Sequence, residues 1–162
     1  RNTPYIAANG IQAAHVEVDP DLGTIRVLDF WVVDDCGRVI NPMLVDEQIR
    51  GGVVQGIGAA LYEQCIYGAD GQLENGSLAD YLVPMAGEMP DIRIAHVETP
   101  TAMTTLGARG VGEAGTVGAA AAIWTAGNDA LVPLGATGTE QPFTPEHVLD
   151  RLALAGDQPR PT

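Results

Sequence analysis

The residues most suggestive of chemistry lie in a glycine-rich segment, residues 106–118, that leads into an apolar stretch with a helix pattern. The charged side chains in this segment are Arg109 and Glu113. A carboxylate on a rigid turn flanked by glycines suits general-base catalysis on a substrate brought close to the backbone. The structural alternative is that Glu113 is only a helix N-terminal carboxylate, favoured by the helix dipole. Against it, N-caps are normally Ser, Thr, Asp or Asn, and Glu is typical three residues later.

The same segment contains Gly110, Gly112 and Gly115, which match the G-x-G-x-x-G pattern of dinucleotide-binding folds. Such a fold also needs a hydrophobic strand just before the glycines and an acidic residue about 20 residues after them. Residues 100–105 have no strand pattern, and no acidic residue stands around Gly135. We therefore do not expect a Rossmann-type nucleotide binder.

A second group of glycines falls within eight positions of the helix predicted for residues 43–62: Gly51, Gly52, Gly56 and Gly58. Each costs about 1 kcal/mol relative to Ala in a helix interior, so their number needs a reason. Either another helix packs closely against them, or a bulky ligand such as a cofactor lies against the bare backbone. In the second case Gln55 would offer it both an amide donor and an acceptor.

Composition excludes several classes of function. Eight basic residues against 21 acidic ones give a net charge of −13, so nucleic acid and anionic membranes are not expected partners. All eight are Arg, which excludes P-loop and pyridoxal phosphate lysine chemistry. The three histidines and two cysteines match no local zinc, redox or disulfide pattern. No apolar run is long enough to span a bilayer, and a cytoplasmic location is the default expectation.

The elements that must position Glu113 follow from the polarity patterns. Residues 15–33 predict a hairpin with its turn at 19–23, followed by a loop over 34–42. Residues 81–84 and 92–97 are predicted to be short strands, and helices are predicted after Gly115 and after Thr144. This mixture of hairpin strands and helices predicts an α+β fold.

Three motifs, taken together, carry a family resemblance. They are residues 34–42 (DDCGRVINP), the helix stretch 45–58 with its glycines and Gln55, and residues 110–113 (GVGE). In this order and spacing they resemble the C-terminal part of the molybdenum-binding large subunit of the xanthine oxidase family, of the bacterial aldehyde oxidase and carbon monoxide dehydrogenase type. The resemblance implies a portion of a molybdenum-cofactor-binding domain over residues 1–155. After the last predicted helix, two prolines in the final residues predict a flexible tail at 156–162. Because the chain also lacks an initiating Met, we expect it to be a piece of something longer.

The resemblance also implies roles for individual residues. Glu113 matches the glutamate that acts as the base on molybdenum-bound water or hydroxide in that family. The residues that match positions bordering the pterin cofactor are Glu47, Gln48, Gly51, Gly52, Gln55, Gly56, Arg109, Gly110, Val111 and Gly112. No residue of this chain is expected to ligate the metal.

The implied cofactor is molybdopterin cytosine dinucleotide with molybdenum, shared with the remainder of the large subunit. FAD and [2Fe-2S] clusters would lie on partner subunits, and the substrate would be a small aldehyde or N-heterocycle oxidised with water as the oxygen source. The chain alone is expected to be inactive. The alternative is a non-catalytic interaction module of such a complex that lacks the cofactor.

Overall fold

The structure is a computed structural model and describes residues 6–156 of the chain. Within that range the main elements are β1 (Asn9–Asp19), β2 (Thr24–Asp35), α1 (Pro42–Leu61), β3 (Asp91–His96), α2 (Ala114–Leu131) and α3 (Pro145–Gly156). Short 3-10 turns occupy Ala86–Glu88 and Val132–Leu134. The predicted α+β fold is confirmed. The predicted tail lies outside the described residues except for Gly156, which closes α3.

The three strands form one sheet in the order β1-β2-β3. β1 and β2 are the predicted antiparallel hairpin, and β3 pairs with β2 in parallel, with Phe30 opposite Ile92. The hairpin turn is fixed by Asp19, whose carboxylate accepts hydrogen bonds from the backbone N–H of Asp21 (2.9 Å) and of Leu22 (3.0 Å). β1 is left as an edge strand of this sheet.

The strand predicted at residues 81–84 is wrong. These residues adopt no strand, and the backbone N–H of Tyr81 instead donates to the carbonyl of Ser77 at 2.8 Å, as in a helical turn. Pro84 also has no N–H to give to a strand ladder. The turn that begins at Ser77 therefore determines the backbone conformation here, although the segment has the apolar composition of a strand.

The core lies between one face of the sheet and the helices. β2 contributes inward-facing apolar side chains in alternation, including Phe30 and Val32, both at most 1% exposed. α1 adds Ile49, Val53 and Ile57, whose four-residue spacing puts them on one face, and all three are fully buried. α2 adds Ala119 and Ile123 to the same core.

The glycines of α1 explain how closely α1 and α2 approach. A Cβ atom on Gly52 would lie 2.9 Å from Gly115 Cα and from Thr116 N, closer than any side chain tolerates, and one on Gly56 would overlap Ala119. Gly51, one position along, faces open space with nothing within 4 Å. Helix packing, the first of the two alternatives, therefore accounts for Gly52 and Gly56, while Gly51 has no such explanation.

In the described part of the chain, no helix is long and apolar enough to cross a membrane.

Candidate functional site

Two of the motifs, about 70 residues apart in the sequence, form one structural unit. The loop after β2 runs alongside the start of the glycine-rich segment: the N–H of Arg38 donates to the carbonyl of Gly107 (3.1 Å), and the N–H of Arg109 donates to that of Cys36 (2.6 Å). Gly37 has a φ of +70° and packs directly on Gly107, so no side chain fits there. The loop after β2 thus holds the segment that carries Glu113.

Asp35 fastens this unit from the sheet side. Its Oδ1 accepts hydrogen bonds from the backbone N–H of Gly37 (2.9 Å) and of Thr99 (3.0 Å). These hydrogen bonds hold the pKa of the Asp35 carboxyl below its ordinary value of 3.8. Hydrogen bonding from Thr99 lowers the pKa most, and the bond from Gly37 comes next. The carboxylate is therefore a structural tie at the end of β2.

Glu113 lies at the N-cap position of α2. Its carbonyl accepts the N–H of Thr116 (3.0 Å) and of Val117 (3.1 Å), but its side chain makes no capping hydrogen bond and is exposed. The side chain therefore does not cap the helix by a hydrogen bond, while its place at the N-terminus of α2 is the one that the helix-dipole alternative also predicts. The carboxylate projects from a fixed backbone toward solvent.

Two glutamines of α1 support this junction. Gln48 Nε2 donates to the carbonyl of Gly112 at 2.8 Å, and the hydroxyl of Thr116 donates to Gln55 Oε1 at 3.3 Å. They are seven residues apart and therefore lie on the same face of the helix, one on each side of Glu113. The structure brings together Gln48, Gln55, Gly112 and Glu113, four of the residues singled out from the sequence.

The other residues expected at the cofactor have varied surroundings. The guanidinium of Arg109 donates to the carbonyls of Ala7 (3.3 Å) and Thr99 (3.0 Å), so it ties chain segments together. Exposed Glu47 pairs with Arg50 at 3.6 Å one helical turn away. Val111 packs against the core. Gly110 and Gly112 are exposed, and a Cβ on either would meet nothing within 4 Å.

A groove of about 550 Å³ opens beside Glu113, between the start of β1 and the N-terminus of α2. Its lining includes residues 6–10, the open glycines Gly110 and Gly112, and two polar side chains from the sheet, Gln12 and Asp34. Sequence reasoning missed both of these polar residues. The available signal was that Asp34 continues the inward-facing alternation of Phe30 and Val32, where an apolar residue is expected.

Asp34 is 2% exposed, and burial raises the pKa of its carboxyl, while the nearby His96 opposes that rise. His96 is itself in contact with α1, its Nε2 lying 2.6 Å from Asp46 Oδ1. Among residues 6–156, no three His, Cys, Asp or Glu side chains are grouped so that they could hold a metal ion.

Comparison with known families identifies the chain. The family model for the molybdopterin cofactor-binding domain matches residues 1–90, more than half of the sequence. The chain belongs to the molybdopterin cofactor-binding domain family. The resemblance to molybdenum-binding large subunits of the xanthine oxidase family is confirmed.

Individual relatives of this domain family agree. The chain is 47% identical to the nicotine 6-hydroxylase large subunit of Paenarthrobacter nicotinovorans over 142 residues, 88% of this chain and 17% of that protein. It is 36% identical to the carbon monoxide dehydrogenase large chain of Hydrogenophaga pseudoflava, over 88% of this chain and 18% of that one. The crystal structure of quinoline 2-oxidoreductase from Pseudomonas putida 86 matches with a TM-score of 0.88 at 45% identity, covering 94% of this chain and 19% of that one. The chain thus spans less than a fifth of the length of these relatives.

The site fits a molybdopterin group in two respects. Gly110 and Gly112 leave their backbone open on the groove side, which allows a ligand to lie against it. The groove is also lined by polar side chains on one part and by glycine backbone on another, so a polar planar ring could both hydrogen-bond and lie flat in it. Gly52 and Gly56, in contrast, are buried against α2, and contact between them and a cofactor stays a prediction.

Proposed function

We propose that this chain supplies the general base, Glu113, and one wall of the cofactor site to a molybdenum hydroxylase that oxidises an N-heterocycle or an aldehyde with water as the oxygen source. The observation that carries the proposal is the position of the Glu113 carboxylate, exposed and uncapped on a braced loop beside a glycine-walled groove. Similarity to a nicotine hydroxylase and a quinoline oxidoreductase favours an N-heterocyclic substrate over an aldehyde.

In this proposal the chain provides the group that accepts a proton and the loop that holds that group in position. The molybdenum cofactor, when bound, supplies the oxygen transfer and accepts the two electrons of the oxidation. Glu113 accepts the proton of the water-derived nucleophile at a carboxylate oxygen. Two hydrogen bonds fix the loop: Gln48 donates to the carbonyl of Gly112, and the N–H of Arg38 donates to that of Gly107. Because the loop is held in place, little conformational entropy is lost when the carboxylate meets the nucleophile.

Only part of the cofactor can be held here. Gly110 and Gly112 would let the pterin approach the backbone, and Gln55 would offer its amide to a polar edge. A dinucleotide form, molybdopterin cytosine dinucleotide, needs most of its surface enclosed, so the remaining walls belong to the rest of the large subunit. FAD and [2Fe-2S] clusters on partner subunits would then carry the electrons away, in a cytoplasmic complex.

The test is Glu113→Gln in the assembled complex, with quinoline, nicotine and benzaldehyde as substrate probes and an artificial electron acceptor. Glutamine keeps the size of the side chain and removes its basicity, so we expect kcat to fall by about 10²- to 10⁴-fold with at least one probe, at unchanged molybdenum content. Glu146→Gln, which neutralises an exposed carboxylate in the first turn of α3, is the matched control. Turnover of the Glu113 variant within about threefold of the parent would show that Glu113 is not the base.

A further inference from the structure

Two residues that line the Glu113 groove each have a buried acceptor atom without a hydrogen-bond partner among the described residues: Asp34 Oδ2 and Gln12 Oε1. Both residues line the groove together with Gly110, Gly112 and Glu113. Buried polar atoms in proteins are almost always hydrogen-bonded, because an unmade bond costs about 1–3 kcal/mol and more for a charged group. Two orphan acceptors in one groove therefore require an explanation.

The orientation of the Gln12 amide is set by the fold. Its Nε2 donates to the carbonyls of Ala114 (2.8 Å) and Gly115 (3.1 Å), in the first turn of α2. A flipped amide would place oxygen against these two carbonyl oxygens, which is repulsive. Oε1 is thus fixed as an acceptor that faces away from α2.

Asp34 is equally constrained. The inward-facing alternation of β2 puts its side chain under the helices, and its other oxygen, Oδ1, lies so close to Gly10 that a Cβ there would be 3.2 Å from it. In contrast with Asp35 beside it, which accepts two backbone N–H groups, Asp34 has a buried oxygen, Oδ2, without a partner among the described residues.

The glycines of the same groove indicate what kind of group is missing. Gly110 and Gly112 do not have positive φ, and nothing within 4 Å would obstruct a Cβ, so neither conformation nor packing among the described residues accounts for them. Two hydrogen-bond acceptors in a groove that is also lined by glycine backbone suit a flat group that carries N–H donors at its edge.

We propose that Asp34 and Gln12 form a subsite for the amino-bearing edge of the cofactor, where an exocyclic amine on a heteroaromatic ring donates hydrogen bonds to Asp34 Oδ2 and Gln12 Oε1. This rests on the proposed function, since it takes the pterin cofactor as the ligand of the groove. The pterin ring and a cytosine base both carry such an amine. Asp34 then acts as a binding residue for the cofactor, distinct in role from Glu113.

The test uses the full-length large subunit in its complex, with Asp34→Asn and Asp34→Leu, and measures cofactor content and stability separately. Molybdenum and pterin per large subunit are expected to fall at least threefold in both variants. Complex prepared in a host that makes no molybdopterin should have an unchanged or higher Tm in the variants, because a buried carboxylate without a donor is removed. Asp129→Asn, on the exposed side of α2 away from this groove, should change neither quantity.

Each other outcome overturns the subsite. A lower Tm of the cofactor-free variants would mean that a polypeptide group in the rest of the large subunit pairs with Asp34, and unchanged cofactor content would mean that no ligand does. Absence of molybdenum from the wild-type complex would instead contradict the proposed function itself. Separate titration of the cofactor-free wild type with pterin-6-carboxylate and with cytidine monophosphate, read as a rise in Tm that Asp34→Asn abolishes, decides which ring occupies the subsite.

Discussion

Glycines occur in two regions of this molecule for opposite reasons. In α1, Gly52 and Gly56 are buried where α2 crosses, and each position has backbone or a methyl group where a Cβ would stand. Before α2, Gly110 and Gly112 are exposed, and nothing within 4 Å competes for the space. The first pair makes room for the protein itself, whereas the second pair borders open space, which the proposal above assigns to the cofactor.

This difference matters for how the site is built. Close packing at Gly52 and Gly115 fixes α1 relative to the first turn of α2, where Glu113 is the N-cap residue. Gln48 on α1 then reaches Gly112. The packed glycines therefore position the open ones. Substitution of the packed glycines should destabilise the fold, whereas substitution of the open glycines should reduce ligand binding.

The largest effect on stability is expected from Gly52→Leu. The new side chain would collide with the backbone of Gly115 and Thr116, and overpacking of this kind costs about 3 kcal/mol or more when the backbone must move. Gly51→Leu is the matched control, since Leu at an open helix position stabilises by up to about 1 kcal/mol. Urea denaturation of the cofactor-free protein measures both. Equal stability of the two variants would contradict the packed interface.

Part of this arrangement could be predicted from the sequence, because the hairpin, α1 and α2 each have a local period that specifies them. Helix packing was one of two alternatives for Gly52, and periodicity cannot choose between them, because a glycine-lined face looks the same whether a helix or a ligand covers it. The docking of Gly37 on Gly107 could not be predicted, since that contact joins residues distant in sequence and has no periodic signal. Asp34 was read only as part of a loop motif, although it continues the inward face of β2.

A smaller, pH-dependent effect is expected from Asp35→Asn. Because its hydrogen bonds lower the pKa of Asp35 in the folded state, the carboxylate stabilises the protein above its ordinary pKa of 3.8. That contribution is lost as the pH falls from this value through the lower folded-state pKa. The unfolding midpoint of the wild type should therefore approach that of the variant as the pH is lowered from about 5 through 3.8 and below. A constant difference between the two across this range would show that the carboxylate charge is not what fastens the loop.

Gln48→Leu should have a modest effect on stability and a larger one on catalysis. The lost bond to the Gly112 carbonyl is exposed and is worth about 1 kcal/mol. Without it the backbone before Glu113 is less restrained, so we expect kcat per bound molybdenum to fall by about tenfold, with faster amide exchange at residues 112–114. Gln48→Glu, which keeps the shape but not the donor, should behave in the same way. Wild-type kcat in both variants would mean that the loop does not need this brace.

The smallest effect on stability, and the sharpest contrast with Gly52, is expected from Gly112→Ala. Its φ is not positive and its Cβ would stand in open space, so the free energy of unfolding of the cofactor-free protein should change by less than about 1 kcal/mol, and a slight increase is the natural direction. If the open backbone receives the pterin, the added methyl group occupies the ligand's place, and molybdenum and pterin per large subunit should fall. Gly71→Ala does not serve as a control, because Gly71 has a φ of +80°, whereas Gly87 is also open and lies outside the groove lining. Gly87→Ala should therefore leave cofactor content unchanged, and equal loss in both variants would remove the reason to assign the open glycines to a ligand.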